Sequence, residues 1–342
     1  MQNRNMTNSI LDLILAPWKI SVLFTAIRLN LFTILSNDSL PVDEIASKCN
    51  AIPHTLKPLL DACVSMGLLI LQDDKYMNSH FSRVYFIERE PQYLGDLVKL
   101  HYNESKQWDK LYDIIIENKK RGEDEAEFKE RTFIKAMHNL GMLGEANVLS
   151  NVVDISGCKQ MVDAGGGSGL YSIVLCRRYP ELNSTILDRN ETLKITKEMI
   201  EDYEERERIT LHEADLEKDS YGKNIDVVLL SDVIYDERIA SSILRNAWNC
   251  LRQDGFLILR GYYSDPDNSK PLFGALFVLG QLVFDSNRKI ITIPTLQRIV
   301  KDAGFNLTKI SPLTERSHIL IAKKTIRKNH ASKQRTLCNK QG

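Results

Sequence analysis

The densest chemical signal in the chain is Val162-Asp163-Ala164-Gly165-Gly166-Gly167-Ser168-Gly169. It follows a short apolar run and precedes Leu170-Tyr171-Ser172-Ile173-Val174-Leu175, which reads as a helix. Glycines at a strand-to-helix turn permit positive φ and let a ligand approach the backbone closely. A dinucleotide-binding G-x-G-x-x-G/A pattern fails, because the third position is Leu170 counted from Gly165 and Ser172 counted from Gly167. The pattern D-x-G-x-G-x-G fits Asp163, Gly165, Gly167 and Gly169 without a miss. An acid before such a loop repels a pyrophosphate but suits a ligand carrying an ammonium and a sulfonium. That points to S-adenosylmethionine.

Two acids downstream agree. Asp188 lies nineteen residues after Gly169, at the end of the next apolar run, where a carboxylate can accept both ribose hydroxyls. Asp215, followed by Leu216, closes the third run, where it can meet the adenine amino group. Asp163 itself shapes the loop and is placed to reach the methionine part through water.

These residues need a scaffold that brings consecutive strand ends together, and the second half of the chain has its grammar. Apolar β-type runs occur at Met161–Ala164, Thr185–Leu187, Ile209–Leu211, Val227–Leu230, Phe256–Leu259 and His318–Ala322. Helical segments separate most of them, which predicts an α/β fold with a doubly wound sheet. The first hundred residues read differently. Val22, Ala26, Leu29 and Leu31–Leu35 share one helical face. A short helix opens after Pro41, another runs from Pro53 to Met66, and Leu68–Gln72 with Lys75–Asn78 reads as a hairpin. Helix, helix, hairpin is a winged-helix pattern. The predicted organisation is a winged-helix-like region over 1–100, a helical linker and substrate-pocket segment over 101–150, a cofactor-binding domain over 151–324 and a basic tail over 325–342. The charged run Asn118–Arg131 reads as a solvated connection.

Composition narrows the function classes. The chain has 342 residues, 43% of them apolar, with 45 basic and 45 acidic residues. A neutral balance gives no global field for nucleic acid or anionic membrane. Asp38 to Glu90 holds more acids than bases, and Lys57 is the only formal cation of the would-be recognition helix, so DNA binding is not expected. The six cysteines form no C-x-x-C pair and read as buried small hydrophobes in a reducing compartment, the cytoplasm. Ile10–Leu35 is interrupted by Asp12, Pro17, Lys19 and Arg28, so it reads as neither a signal peptide nor a clean membrane span. No cluster calls for a metal.

With these motifs in place, the chain resembles the small-molecule O-methyltransferases of the caffeate and N-acetylserotonin type, over nearly its whole length to about Lys324. The glycine loop, Phe133-Ile134-Lys135-Ala136-Met137 and Lys301-Asp302-Ala303-Gly304-Phe305 before a final hairpin carry the likeness. The resemblance implies a class I, Rossmann-like methyltransferase fold with an N-terminal winged-helix dimerisation region, a homodimer, and a hydrophobic small-molecule substrate held between the domains near Met137. It also implies that backbone near Ser231, where the family has a lysine, holds the methionine part of the cofactor.

The family's catalytic histidine has no counterpart. The aligned stretch is Ser231-Asp232-Val233-Ile234-Tyr235-Asp236-Glu237, which puts Tyr235 at the histidine position. The family's two flanking glutamates fall at Gly261 and near Ile290. A phenol near pKa 10 is protonated at neutral pH, so Tyr235 is suited to orient an acceptor or donate to developing charge rather than to serve as a resting base. A tyrosine here also resembles the bacteriochlorophyll C-20 methyltransferase, along with Ser184-Thr185-Ile186-Leu187 and Ile234-Tyr235. Both oxygen and carbon therefore stand as acceptors. The missing base leaves open a second reading, a protein that binds the cofactor and catalyses a reaction other than methyl transfer.

The remaining candidates each carry two roles. Tyr235 packs or orients, Asp232 and Asp236 contact substrate or cap a helix, and Arg260 pairs a substrate carboxylate or a structural acid. His101 and His138 approach the pocket or serve only locally. Leu272–Phe284 carries no charge and reads as a helix that lines a pocket or a core.

Overall fold

A computed structural model describes residues 2–117, 130–263, 272–284 and 291–325. The charged run falls mostly outside the described residues, as do the tail beyond residue 325, Cys338 and the neighbourhood of Ile290. Two compact units account for the chain: Met1–Asn147 with Gly280–Ser286, and Val148–Leu279 with Asn287–Gly342.

In the first unit, α1 (Gln2–Arg28) and α2 (Leu31–Ile34) are separate helices. The single apolar face expected across them is broken at Asn30, which adopts a left-handed φ of 55°. Next come α3 (Val42–Cys49), α4 (Pro53–Ser65) and the antiparallel pair β1 (Leu69–Gln72) and β2 (Lys75–Asn78). Asp73 and Asp74 both have positive φ, the two-residue hairpin turn whose twist matches that of the strands. This is the winged-helix order, closed over a core that includes Leu31, Phe32, Ile45, Leu60 and Cys63. α5 (His80–Tyr85), α6 (Gly95–Trp108), α7 (Leu111–Glu117) and α8 (Glu130–Leu140) follow, and a π-type turn at Gly141–Glu145 leads into α9 (Ala146–Val152).

The second unit is a seven-stranded sheet. Along the chain it runs β3 (Gln160–Ala164), α10 (Leu170–Arg178), β4 (Asn183–Asp188), α11 (Asn190–Ile200), β5 (Ile209–Glu213), β6 (Ile225–Ser231), α12 (Glu237–Cys250), β7 (Leu251–Gly261), α13 (Leu272–Phe284), α14 (Ile293–Asp302), β8 (Asn306–Pro312) and β9 (His318–Lys323). The order across the sheet is β5-β4-β3-β6-β7-β9-β8, parallel from β5 to β7, with β9 antiparallel to both β7 and β8. The expected α/β class is confirmed, and the sheet is mixed. Strands covered on both faces read as unbroken apolar runs, and Val227, Val228 and Leu229 of β6 are fully buried. On α12, Ala240, Ile243, Leu244, Ala247 and Cys250 form the inward stripe.

The two ends of the sheet differ. At the N-terminal end Asp226 accepts the backbone N–H groups of Lys159 (2.8 Å) and Gln160 (2.9 Å) and pairs with Arg252, so one carboxylate ties the starts of β3, β6 and β7. At the C-terminal end the strands release the loops that carry the motifs. The order reverses between β3 and β6, the point where sheets of this kind open a crevice for ligands.

Candidate active site

Gly165, Gly167 and Gly169 have φ of 77°, 52° and 78°. A Cβ on Gly165 would meet Val233 Cγ2 at 2.6 Å and Leu216 Cδ1 at 3.4 Å, and one on Gly169 would meet Ile200 Cγ2 at 2.9 Å. The loop therefore needs glycine both for its torsions and for its fit against neighbouring elements. Gly165 N–H donates to the Leu187 carbonyl (2.7 Å) and Thr196 Oγ1 donates to the Gly167 carbonyl (2.5 Å), which fixes the loop against β4 and α11.

Asp163 ends β3 and is 1% exposed. Ser172 Oγ donates to its Oδ2 (2.7 Å) and lies 2.8 Å from Ser184 Oγ, so the acid ties the loop to the first turn of α10 and to β4. Burial pushes its carboxyl up to about 7, against the pull of the Ser172 hydrogen bond and with help from the nearby Asp188 charge. In this position the carboxylate shapes the loop from beneath.

Asp188 closes β4. Its Oδ2 accepts from Gly167 N–H (3.0 Å) and its Oδ1 from Arg189 N–H (2.8 Å). Burial raises its pKa, opposed by those two hydrogen bonds. The Thr192 side chain adds a third hydrogen bond, and a carboxylate anchored in this way at a strand end suits a vicinal diol. The Ala214 N–H donates to the Asp188 carbonyl (3.0 Å), bringing the chain after β5 to the same edge. Asp215 follows there, half-exposed, with Lys218 Nζ on Oδ2 (2.6 Å) and Glu217 N–H on Oδ1 (3.0 Å), and the lysine lowers its pKa. Leu216 packs against the glycine loop, and its carbonyl accepts from the Tyr221 hydroxyl (2.7 Å) and the Asn246 amide (3.0 Å). A glycine cradle, an anchored acid and an exposed acid at successive strand ends fit the donors of a nucleoside carrying a cationic sulfonium.

Ser231 is buried at the end of β6, in register with Arg260 of β7. Asp232 follows with φ 57°, and its N–H donates to the Arg260 carbonyl (2.9 Å). Its two carboxylate oxygens are divided: Oδ2 pairs with the Arg260 guanidinium and Oδ1 accepts the Tyr235 hydroxyl proton. Arg260 is 1% exposed and stacks on Tyr262 at 4.2 Å, so it takes the structural ion-pair role in place of an open fork for a substrate carboxylate. Asp236 is the N-cap of α12, accepting from Arg238 N–H (2.9 Å).

Tyr235 sits in an aromatic cluster. Its ring centroid is 5.3 Å from Phe277 and 6.2 Å from Tyr263, while Tyr262 lies 5.0 Å from Phe277 and 4.9 Å from Phe273. Burial lifts the Tyr235 hydroxyl well above its ordinary range, with the neighbouring Tyr263 and Tyr262 adding to the shift. It is not a resting base. Met137 and His138 lie on α8 of the first unit, and burial lowers His138 to about 4, so it is neutral at pH 7. His101 is exposed on α6, 3.2 Å from Glu104. The sequence did not single out Val233, and it marked Phe273 and Phe277 only as part of the uncharged Leu272–Phe284 segment.

Comparison with known proteins agrees with this geometry. Residues 92–306 match the O-methyltransferase domain family, and residues 11–88 match the O-methyltransferase dimerisation domain. The chain is 28% identical over 284 residues to a 3-hydroxy-5-methyl-1-naphthoate 3-O-methyltransferase of Streptomyces sahachiroi, covering 80% of this chain and 82% of that one. It is 24% identical over 277 residues to the bacteriochlorophyllide d C-20 methyltransferase of Chlorobaculum tepidum, covering 76% and 80%. The structure of human N-acetylserotonin methyltransferase in complex with S-adenosylmethionine superposes with a TM-score of 0.83 at 23% identity, covering 95% of this chain and 99% of that one. Glycine loop, sheet order and domain matches converge: the chain belongs to the O-methyltransferase family, as an S-adenosylmethionine-dependent methyltransferase with an N-terminal dimerisation domain.

Proposed function

We propose that this protein is a homodimeric enzyme that methylates an oxygen or a carbon of a planar, hydrophobic aromatic molecule, with Tyr235 orienting the acceptor where relatives use a histidine. The observation that carries this reading is the aromatic cluster of Tyr235, Tyr262, Tyr263, Phe273 and Phe277, gathered after the C-terminal ends of β6 and β7 in the sheet that holds the glycine loop. Stacked and tilted rings favour a flat apolar guest. The cofactor supplies a methyl group on a sulfonium, an electrophile that needs no acid. Gly165, Gly167 and Gly169 shape its cradle, Asp188 holds the ribose and Asp215 with Leu216 borders the adenine. Asp163 supports the loop from below, and backbone at Ser231 lies at the methionine end. What the chain must add is aim, since in-line displacement depends on alignment of the nucleophile.

Incubation with methyl-labelled S-adenosylmethionine and a panel of naphthols, indoles, phenolic amino acids and porphyrins tests the reading. Labelled product with equimolar S-adenosylhomocysteine is expected, and fragmentation places the methyl on oxygen or carbon. Cofactor bound with no label transferred to any of the panel would count against an aromatic acceptor.

A further inference from the structure

Tyr235 is not a bare phenol. Its proton is committed to Asp232 Oδ1, and that carboxylate is held by the Arg260 guanidinium through Oδ2. Asp232 is fixed three ways: by the ion pair, by its N–H on the Arg260 carbonyl (2.9 Å), and by a left-handed backbone with φ 57° that few side chains tolerate. Arg260 is held in turn by the strand register Ser231↔Arg260 and by the Tyr262 face at 4.2 Å. A hydroxyl with its proton taken accepts rather than donates, and although the Tyr262 backbone N–H already reaches the Tyr235 oxygen, a phenol oxygen has a second lone pair for another donor.

We propose that the Arg260–Asp232–Tyr235 chain sets the polarity of Tyr235, so that its oxygen accepts a hydrogen bond from a hydroxyl carried by the acceptor ring. Asp232 and Arg260 are positioning residues in this scheme, and Tyr235 is the group that touches substrate. The inference rests on the aromatic-acceptor reading above and sharpens it. The substrate is a hydroxyarene, methylated on that oxygen or on a carbon of the same electron-rich ring: the S–CH3 bond breaks as the new bond forms, S-adenosylhomocysteine leaves, and the acceptor's proton is released to solvent water. Burial, with the neighbouring Tyr263 and Tyr262, raises the Tyr235 pKa, so the phenol keeps its proton at neutral pH. A tyrosine with its proton free would donate to a carbonyl as well as accept from a hydroxyl, so the preference for a donor ring would not hold.

The test is equilibrium binding to the full chain in the presence of S-adenosylhomocysteine, which carries no transferable methyl. The probes are a naphthol, which donates, and an acetonaphthone of the same ring, which only accepts. Wild type is expected to prefer the naphthol by roughly three- to tenfold, the worth of one neutral hydrogen bond. Tyr235→Phe keeps the ring and the Asp232–Arg260 pair, and should erase the preference. Asp232→Ala frees the tyrosine proton and should shift the preference toward the acetonaphthone. Asp232→Asn keeps the side-chain shape but has one acceptor oxygen for two donors, Arg260 and Tyr235, so the naphthol preference should fall while S-adenosylhomocysteine binding is kept, an outcome that a purely structural role does not produce. Equal binding of the two probes by wild type, no binding of either, or a preference that survives in Tyr235→Phe would overturn the proposal. Binding of S-adenosylhomocysteine alone is read first: its loss in wild type removes the cofactor reading, while its retention with any of those results removes only the assigned polarity.

Discussion

At the scale of single residues, the acids at the ends of β3 and β6 meet opposite fates. Asp163 has only hydroxyl and amide partners and is driven toward its neutral form, whereas Asp232 has a guanidinium. The consequence for Asp163 has a definite sign. With a folded pKa of about 7 against an ordinary value of 3.8, the native state holds a proton that the unfolded chain has released between these values. Its contribution to stability is therefore fully present below pH 4 and declines as pH rises toward 7. Thermal melts of the cofactor-free Asp163→Asn variant across that window should show a smaller loss of stability with rising pH than wild type. A parallel slope in the two proteins would refute the assignment. The sequence made Asp163 visible through its place before the glycines. Its burial was not visible, because Ser172 and Ser184 close over it from a helix and a neighbouring strand. The Asp232–Arg260 pair was hidden for the same reason: the two residues meet only through the register of β6 and β7.

At the scale of elements, local spacing announced what local physics controls. The glycine loop, the β1–β2 hairpin and the uncharged α13 follow from residues within a few positions of one another. β8 was absent from the apolar runs because it is an edge strand whose residues are exposed or half-buried, with too little burial to leave a pattern. The break between α1 and α2 was missed because apolar periodicity continues through Asn30 while the backbone does not. The loop itself yields the prediction at this scale. Gly165→Ala would force a side chain into Val233 and demand φ 77° of an alanine. Cofactor affinity should fall at least about tenfold, and strained φ together with the clash should destabilise the fold by roughly 1–3 kcal/mol. Calorimetric titration with S-adenosylhomocysteine and thermal unfolding measure the two effects separately.

At the scale of the whole molecule, the first unit carries an apolar surface on α1. Leu13, Ile14 and Trp18 are 76%, 62% and 70% exposed, and Ile10 and Leu11 add to the stripe. Ile10–Arg28 is also long and apolar enough, by length and composition, to cross a bilayer, a property the sequence reading set aside on its charges and proline. Its place in the dimerisation match favours a protein partner over lipid. Leu13→Asp combined with Ile14→Asp alters only exposed positions, so the fold should persist. Sedimentation velocity is expected to show a shift from dimer toward monomer; an unchanged dimer would place the interface elsewhere.

The Asp226 clamp at the N-terminal end of the sheet has a consequence for how such a protein can change. It ties the starts of three strands, and with them the alignment of the sheet, to one carboxylate at the end opposite the loops that meet ligand. Apart from Asp232, which answers the buried Arg260, residues after β6 and β7 can be exchanged without moving the strands that present them. A histidine can give way to a tyrosine, or an oxygen acceptor to a carbon, while the frame stays still. Inheritance of the frame and turnover of the chemistry are thereby assigned to opposite ends of one sheet.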